Sequence, residues 1–197
     1  MSDAKLKVLA VVGSLNKSSV TRIVVQNIVA RLKECPCEVD MLDLLDEPLA
    51  LYNPDMASKA PGFPALQARV HEADVYVLGS PDYHGSISGA MKNFLDHFWQ
   101  EFTGKLFATI VASHEKGLTV TDQLRTVARQ CYAWTLPYGV SFSATDDVRD
   151  GEITNNDLKK RLEMFTRDLL VYGQLLAEQR RADLAGAEPG FLERLRK

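Results

Sequence analysis

Apolar positions along the chain fall into two alternating kinds of run. Residues 8–12 (Val-Leu-Ala-Val-Val) are continuously apolar and rich in β-branched side chains, the pattern of a strand buried on both faces of a parallel sheet. After a polar segment, Val20, Ile23, Val24, Ile28 and Leu32 recur at i, i+3, i+4 spacing and mark one face of a helix. The alternation continues. Residues 38–44 predict a second strand, 61–72 a short helix opened by proline, and 74–79 a third strand ending at glycine. Ile87, Ala90, Met91, Phe94, Leu95, Phe98, Trp99 and Phe102 form a wide stripe that predicts a third helix along its whole length. Residues 106–112 predict a fourth strand, 119–132 a helix with Val120, Leu124, Val127, Ala128 and Cys131 on one face, and 136–142 a fifth strand. Leu158, Leu162, Phe165, Leu169, Tyr172 and Leu176 step by four and three, which fits one long helix packed on a sheet. Segments 45–56 and 144–151 read as loops, although the first carries Leu49, Leu51 and Tyr52. From Arg180 the chain is charged and reads as a loosely held tail, with Phe191 and Leu195 as residues that could dock.

Strands alternating with helices imply an α/β fold, a parallel sheet with helices on both faces. The 197 residues suit a single domain with its core at about 6–179 and the charged tail at 180–197. Right-handed crossovers and five strands favour the doubly wound, flavodoxin-like order 2-1-3-4-5, in which ligands bind where strands 1 and 3 diverge. The two least ordinary loops, 13–21 and 80–86, follow those two strands and would face each other across that crevice.

Composition narrows the partners. Net charge is −3 without a dominant basic cluster, which argues against nucleic acid. No apolar run approaches the ~20 residues of a membrane helix, and the polar start lacks a signal-peptide core, so the expected location is cytoplasmic. Cys35-Pro-Cys37 is too tight for a comfortable disulfide and lacks C-x-x-C spacing, and Cys131 lies on an apolar helix face, so the three cysteines read as reduced. The four histidines have no metal-binding spacing.

The first loop is not a Walker loop, because Lys17-Ser18-Ser19 lacks the preceding glycine, and it has one glycine where the dinucleotide fingerprint needs three. It combines a helix N-terminus with the hydroxyls of Ser14, Ser18, Ser19 and Thr21 and the Asn16 amide. That set suits one terminal phosphate held without a metal. It equally suits an ordinary strand-to-helix turn capped by serine. In the second loop Pro81 adds rigidity, Gly85 permits close backbone approach, and Tyr83 and His84 supply a flat surface with a polar tip. It suits a flat heteroaromatic ring, or simply a proline-cornered turn with a helix cap at Ser86 or Ser88. A flat ring joined through a sugar-like chain to one phosphate describes FMN.

Gly13-Ser14-x-x-x-x-Ser19, Gly79-Ser80-Pro81-x-Tyr83-His84-Gly85-Ser86 and Lys92-Asn93-x-x-Asp96 together resemble the NADPH-dependent FMN reductase family, over about residues 6 to 143 and including the Asp-Glu-Pro-Leu-Ala-Leu-Tyr-Asn-Pro-Asp segment. The resemblance implies bound FMN, hydride from NADPH, and quinone, azo or chromate reductases as relatives. By position, Ser14, Asn16, Ser19, Val20 and Thr21 would hold the FMN phosphate. Pro81, Asp82, Tyr83, His84, Gly85 and Ser86 would line the isoalloxazine ring, partly through backbone amides, and Ser113 to Gly117 would flank its other edge. Two departures stand out: Asn16 occupies a position that is often Arg, and the usually glycine-rich third loop reads Ser-His-Glu-Lys-Gly.

The implied activity is an FMN-dependent NAD(P)H oxidoreductase. NADPH would stack on the ring and pass hydride to N5; NADP⁺ would then give way to a small acceptor (a quinone, azo compound, metal ion or free flavin) in a ping-pong cycle. Backbone N–H groups near the pyrimidine end would stabilise the charge of reduced flavin. No catalytic side chain and no metal ligand is expected. His84 is a candidate for stacking or proton delivery, or a structural loop histidine. Arg22, Lys116 and Arg125 are candidates for the NADPH 2′-phosphate, or solvated charges. Two alternatives are a flavin-binding electron carrier without NADPH activity and a reductase that supplies free reduced FMN to a monooxygenase. The resemblance also implies a homodimer or homotetramer, and the apolar 45–56 segment with Trp99 and Phe102 suggests surface covered by a partner subunit.

Overall fold

The computed structural model describes residues 4–196. In chain order the elements are β1 (Leu6–Val12), α1 (Val20–Lys33), β2 (Cys37–Asp43), α2 (Phe63–Glu72), β3 (Val75–Tyr83), β4 (Ser86–Ile87), α3 (Gly89–Asp96), β5 (Leu106–Ala112), α4 (Leu118–Gln130), β6 (Trp134–Thr135), β7 (Val140–Phe142), β8 (Val148–Arg149), β9 (Glu152–Ile153) and α5 (Asn156–Ala185). The main sheet runs β2-β1-β3-β5 in parallel, with β6 and β7 both paired in parallel to β5. Counting β6 and β7 as two halves of one last strand gives the expected order. The pleat divides the core in two. Val8, Ala10, Val77 and Ile110 meet Val25, Ile28, Phe165 and Leu169 of α1 and α5 on one face. Leu9, Val11, Leu78 and Phe107 meet Leu66, Met91, Phe94 and Leu124 of α2, α3 and α4 on the other. Among the described residues no helix is long and apolar enough to cross a membrane.

Four expectations change. The fifth strand is broken, because Pro137 has no N–H to give a ladder and the chain at Gly139 passes so close to β5 that a Cβ there would lie 2.5 Å from Thr109 Oγ1. The apolar stripe through residue 102 is not one helix. The α-helix stops at Asp96, and a 3-10 turn, Gln100–Phe102, drives Phe102 edge-on against Tyr76 and Phe107 at centroid distances of 5.0 and 5.1 Å. Apolar spacing survives the break, so periodicity cannot detect it. The second expected loop, 144–151, runs into a hairpin at 148–153, β8–β9, whose Asp150-Gly151 turn has φ of 49° and 81°, the two left-handed residues of a type I′ turn. Finally, α5 runs to Ala185, past the expected start of a loose tail. The tail docks: Leu192 is buried, Phe191 stacks on Tyr132, and the Arg194 guanidinium lies 4.3 Å from the Tyr132 ring and 5.1 Å from that of Trp99.

Lys105, next to β5, is buried. Its ammonium donates to the Val70 and His71 carbonyls at 3.1 and 2.6 Å, the C-terminal end of α2. Burial brings its pKa down from 10.5 to about 7. Between those values the unfolded chain holds a proton that the folded one lacks, so stability rises as pH goes from 7 toward 10.5, and the cost of charging the buried amine is fully present below 7. Lys105→Met should flatten that rise. Urea unfolding of both proteins at pH 7 and 9 checks it, and an equal pH response in the two would contradict it.

Candidate functional site

The C-terminal ends of β1 and β3 lie side by side, Val12 paired with Gly79, and the Gly13 N–H donates to the Gly79 carbonyl at 2.8 Å. The approach is tight: a Cβ on Gly13 would lie 2.8 Å from Met91 Cβ and 2.9 Å from Gly79 O. Ser88 fastens the crevice floor. Its hydroxyl donates to the Gly13 carbonyl at 2.5 Å and accepts from the Met91 N–H at 3.0 Å as the N-cap of α3.

The loop after β1 leads into α1 with extended backbone at Ser19, whose Oγ accepts from the Arg22 N–H at 3.3 Å. The N–H groups of Val20 and Thr21 precede the helical ladder and point toward the loop. The side chains of Ser14, Ser19 and Thr21 are buried at the same place, and Asn16 forms an Asx turn with the Ser18 N–H at 2.9 Å. Arg22 lies behind the loop. Its guanidinium donates to the Asn16, Lys17 and Ser14 carbonyls at 2.7, 3.2 and 3.1 Å and forks onto the Asp43 carboxylate, with Nη2 at 3.1 Å from Oδ1. The hydrogen bond to Asp43 raises the Arg22 pKa. Arg22 is therefore a strut of the loop, not a free cation for a nucleotide phosphate. It also neutralises Asp43, so that the helix N-terminus faces no unpaired negative charge from that carboxylate.

The second loop is a hairpin. β3 continues to Tyr83 and turns back into β4, with Asp82 opposite Ile87 and Tyr83 opposite Ser86. His84 and Gly85 have φ of 58° and 75°, again a type I′ turn. Asp82 holds the tip, accepting from the Gly85 N–H and the Ser113 hydroxyl, both at 2.8 Å. Gln123 of α4 holds the return strand, its Oε1 accepting from Ser86 Oγ at 3.1 Å and the Ile87 N–H at 3.0 Å. The Gly85 N–H and the Ser86 hydroxyl thus fix the hairpin, while Tyr83 and His84 stand exposed at its tip and Pro81 is buried at its base. Ser113, buried after β5, joins this group through Asp82, and Gly117 caps α4 with φ of 59°. Lys116 is exposed, and Arg125 donates to the Pro137 carbonyl at 2.5 Å. The structure therefore gathers 14–21, 81–86 and 113–117 at one end of the sheet. Sequence reading missed Asp43 and Gln123; it offered Ser88 as a helix cap, which it is, but not its bond to Gly13. Asp43 and Ser88 are polar residues buried beside the motifs; Gln123 carries no local signal.

This arrangement fits a flavin phosphate at the α1 N-terminus and a flat ring beside the hairpin. A model of the NADPH-dependent FMN reductase family matches residues 6–147. The FMN-dependent NADPH-azoreductase of Staphylococcus saprophyticus is 27% identical over 179 residues, spanning 85% of this chain and 95% of that protein. The enzyme of the same description from Staphylococcus aureus is 25% identical, spanning 80% and 88%. In fold, the chain is similar to the flavoenzyme NAD(P)H:(acceptor) oxidoreductase FerB of Paracoccus denitrificans, with TM-score 0.68, 21% identity and coverage of 86% and 97%. It is also similar to the NADH:FMN oxidoreductase EmoB, with TM-score 0.70, 16% identity and coverage of 85% and 90%.

Proposed function

The chain belongs to the NADPH-dependent FMN reductase family, and from that premise we propose that it is an FMN-dependent NADPH oxidoreductase serving a small-molecule acceptor, with its cofactor held in the crevice between the β1 and β3 loops. The observation that carries this reading is the pairing of a hydroxyl-lined helix N-terminus with a rigid aromatic-tipped hairpin at the ends of adjacent strands. Ser14, Asn16, Ser19, Val20 and Thr21 would bind the FMN phosphate through hydroxyl, amide and backbone N–H donors. Pro81 to Ser86 would border the ring, and Ser113 to Gly117 its far edge. When bound, FMN supplies the hydride chemistry, between NADPH and the acceptor in ping-pong order. The protein's part is to orient and to exclude water. Asp82 and Gln123 keep the hairpin fixed, and His84 stands where it can stack on a ring or deliver a proton. Initial rates with NADPH and 1,4-benzoquinone should give parallel double-reciprocal lines; intersecting lines would overturn the ping-pong order.

We also propose a homodimer or homotetramer. Leu15, Leu51 and Met56 are 54%, 86% and 58% exposed around the 45–56 segment, an apolar surface suited to a second copy. Phe102 does not contribute, since it is buried, whereas Trp99 stays 48% exposed with Arg194 over its ring. Light scattering at micromolar protein should give at least twice the 21.9 kDa chain mass. A monomer would remove the proposal.

A further inference from the structure

Beside the crevice, and separate from the loops assigned to FMN, the segment after β2 roofs a cavity of about 430 Å³. That is within the range of about 300–1,000 Å³ usual for small-molecule sites. Leu42, Leu49, Phe63 and Leu66 give it apolar walls, and His97 at the end of α3 is its aromatic polar member. The tautomer of His97 follows from its partner. Nδ1 lies 2.7 Å from the Asn93 carbonyl, which can only accept, so Nδ1 carries the hydrogen and Nε2 of the neutral ring is an acceptor. Of its two charged lining residues, Glu47 is paired with Arg69 at 2.7 Å and Lys59 is exposed to solvent. Asn93 also ties down the roof, accepting from the Tyr52 N–H at 2.7 Å and donating to the Ala50 carbonyl at 2.9 Å. A second cavity of about 220 Å³ shares Pro48, Leu49 and Leu51 with the first and reaches Leu15 and Gly89 at the crevice edge. The pocket is thus mostly apolar in its walls, and the His97 ring is among them.

We propose that this pocket binds an uncharged, flat aromatic molecule bearing a hydroxyl or amino donor, with the donor on His97 Nε2 and the rings between Leu49, Phe63 and Leu66. Its place in the reaction rests on the reductase reading. A quinone that takes up one hydride and one proton becomes a hydroquinone, and an azo bond that takes up two of each is cleaved to two arylamines. In both, NADPH supplies the hydride and water the proton, and the product is an aromatic O–H or N–H donor of the kind the pocket accepts.

Calorimetric titration of the FMN-loaded protein with 1-naphthol tests the site without turnover. One site per chain is expected. Ala60→Trp, which fills the pocket from its rim, should weaken binding at least tenfold. His97→Phe, which keeps a ring but removes the acceptor, should weaken 1-naphthol at least fivefold and leave 1-methoxynaphthalene, which has no donor, unchanged. Absence of binding, indifference to Ala60→Trp, or equal loss for both ligands in His97→Phe would overturn the proposal. Naphthol binding that behaves as expected in a protein whose flavin does not respond to NADPH would instead overturn the reductase reading and leave the pocket standing.

Discussion

The Arg22→Met protein should unfold with about 3–5 kcal/mol less free energy than the wild type, the usual cost of removing one partner of a buried ion pair. The pair is well shielded, with side-chain exposures of 13% for Arg22 and 4% for Asp43. Without the guanidinium, the Asp43 carboxylate keeps the Leu45 N–H, at 3.0 Å, as its donor among the described residues, and a charge is left in a site built for a neutral pair. Three loop carbonyls, those of Ser14, Asn16 and Lys17, lose their donor together. The loss should therefore be larger than a surface ion pair could account for, and FMN affinity should fall with it because the loop loses its backing. Adding Asp43→Asn should recover part of the stability by removing the stranded charge, while the loop carbonyls remain without their donor. Urea unfolding of the three apoproteins measures this. A loss under about 1 kcal/mol would mean that the clamp contributes no more than an exposed pair.

Ser19→Asp should weaken FMN binding at least tenfold, about 1.4 kcal/mol or more, with little change in the stability of the apoprotein. Aspartate is as good an N-cap as serine, so it can take over the bond to the Arg22 N–H that Ser19 Oγ makes at 3.3 Å. Its charge, however, would sit at the helix N-terminus where the phosphate is proposed, opposing the anion and competing for the same donors. Ser19→Ala separates the two effects. It removes the cap, costing about 1 kcal/mol of stability, but adds no charge and should weaken FMN less. Fluorescence titration with FMN measures both variants. Equal affinity of Ser19→Asp and wild type would take the phosphate away from this helix.

Much of this fold is written in side-chain periodicity. The runs that became β1, β3 and β5 are apolar on both faces because helices cover both sides of the sheet, and the expected α5 stripe holds at Leu158, Leu162, Phe165 and Leu169 but not at Tyr172, which is 45% exposed while Gly173 and Ala177 take the inner face. The errors came where backbone chemistry overrides spacing. Phe98 and Phe102 keep helical spacing after the helix has ended, because a 3-10 turn serves the aromatic cluster as well. Asp150-Gly151 forms a hairpin in a segment with too few apolar residues to look like strands. The site was legible as two loops, because Gly13, Ser19, Pro81 and Gly85 are residues with local backbone roles. Its supports were less so. Arg22 reads as a surface cation until Asp43, 21 positions away, is placed against it, and Gln123 reaches Ser86 from 37 positions away. Long-range polar pairs of this kind leave no periodic trace.

The central claim, a bound flavin reduced by NADPH, is tested most directly by the visible absorption spectrum of the purified protein before and after anaerobic NADPH. The account predicts flavin bands that bleach on addition and return with a quinone. Bands that persist after NADPH would contradict it and identify an electron carrier instead.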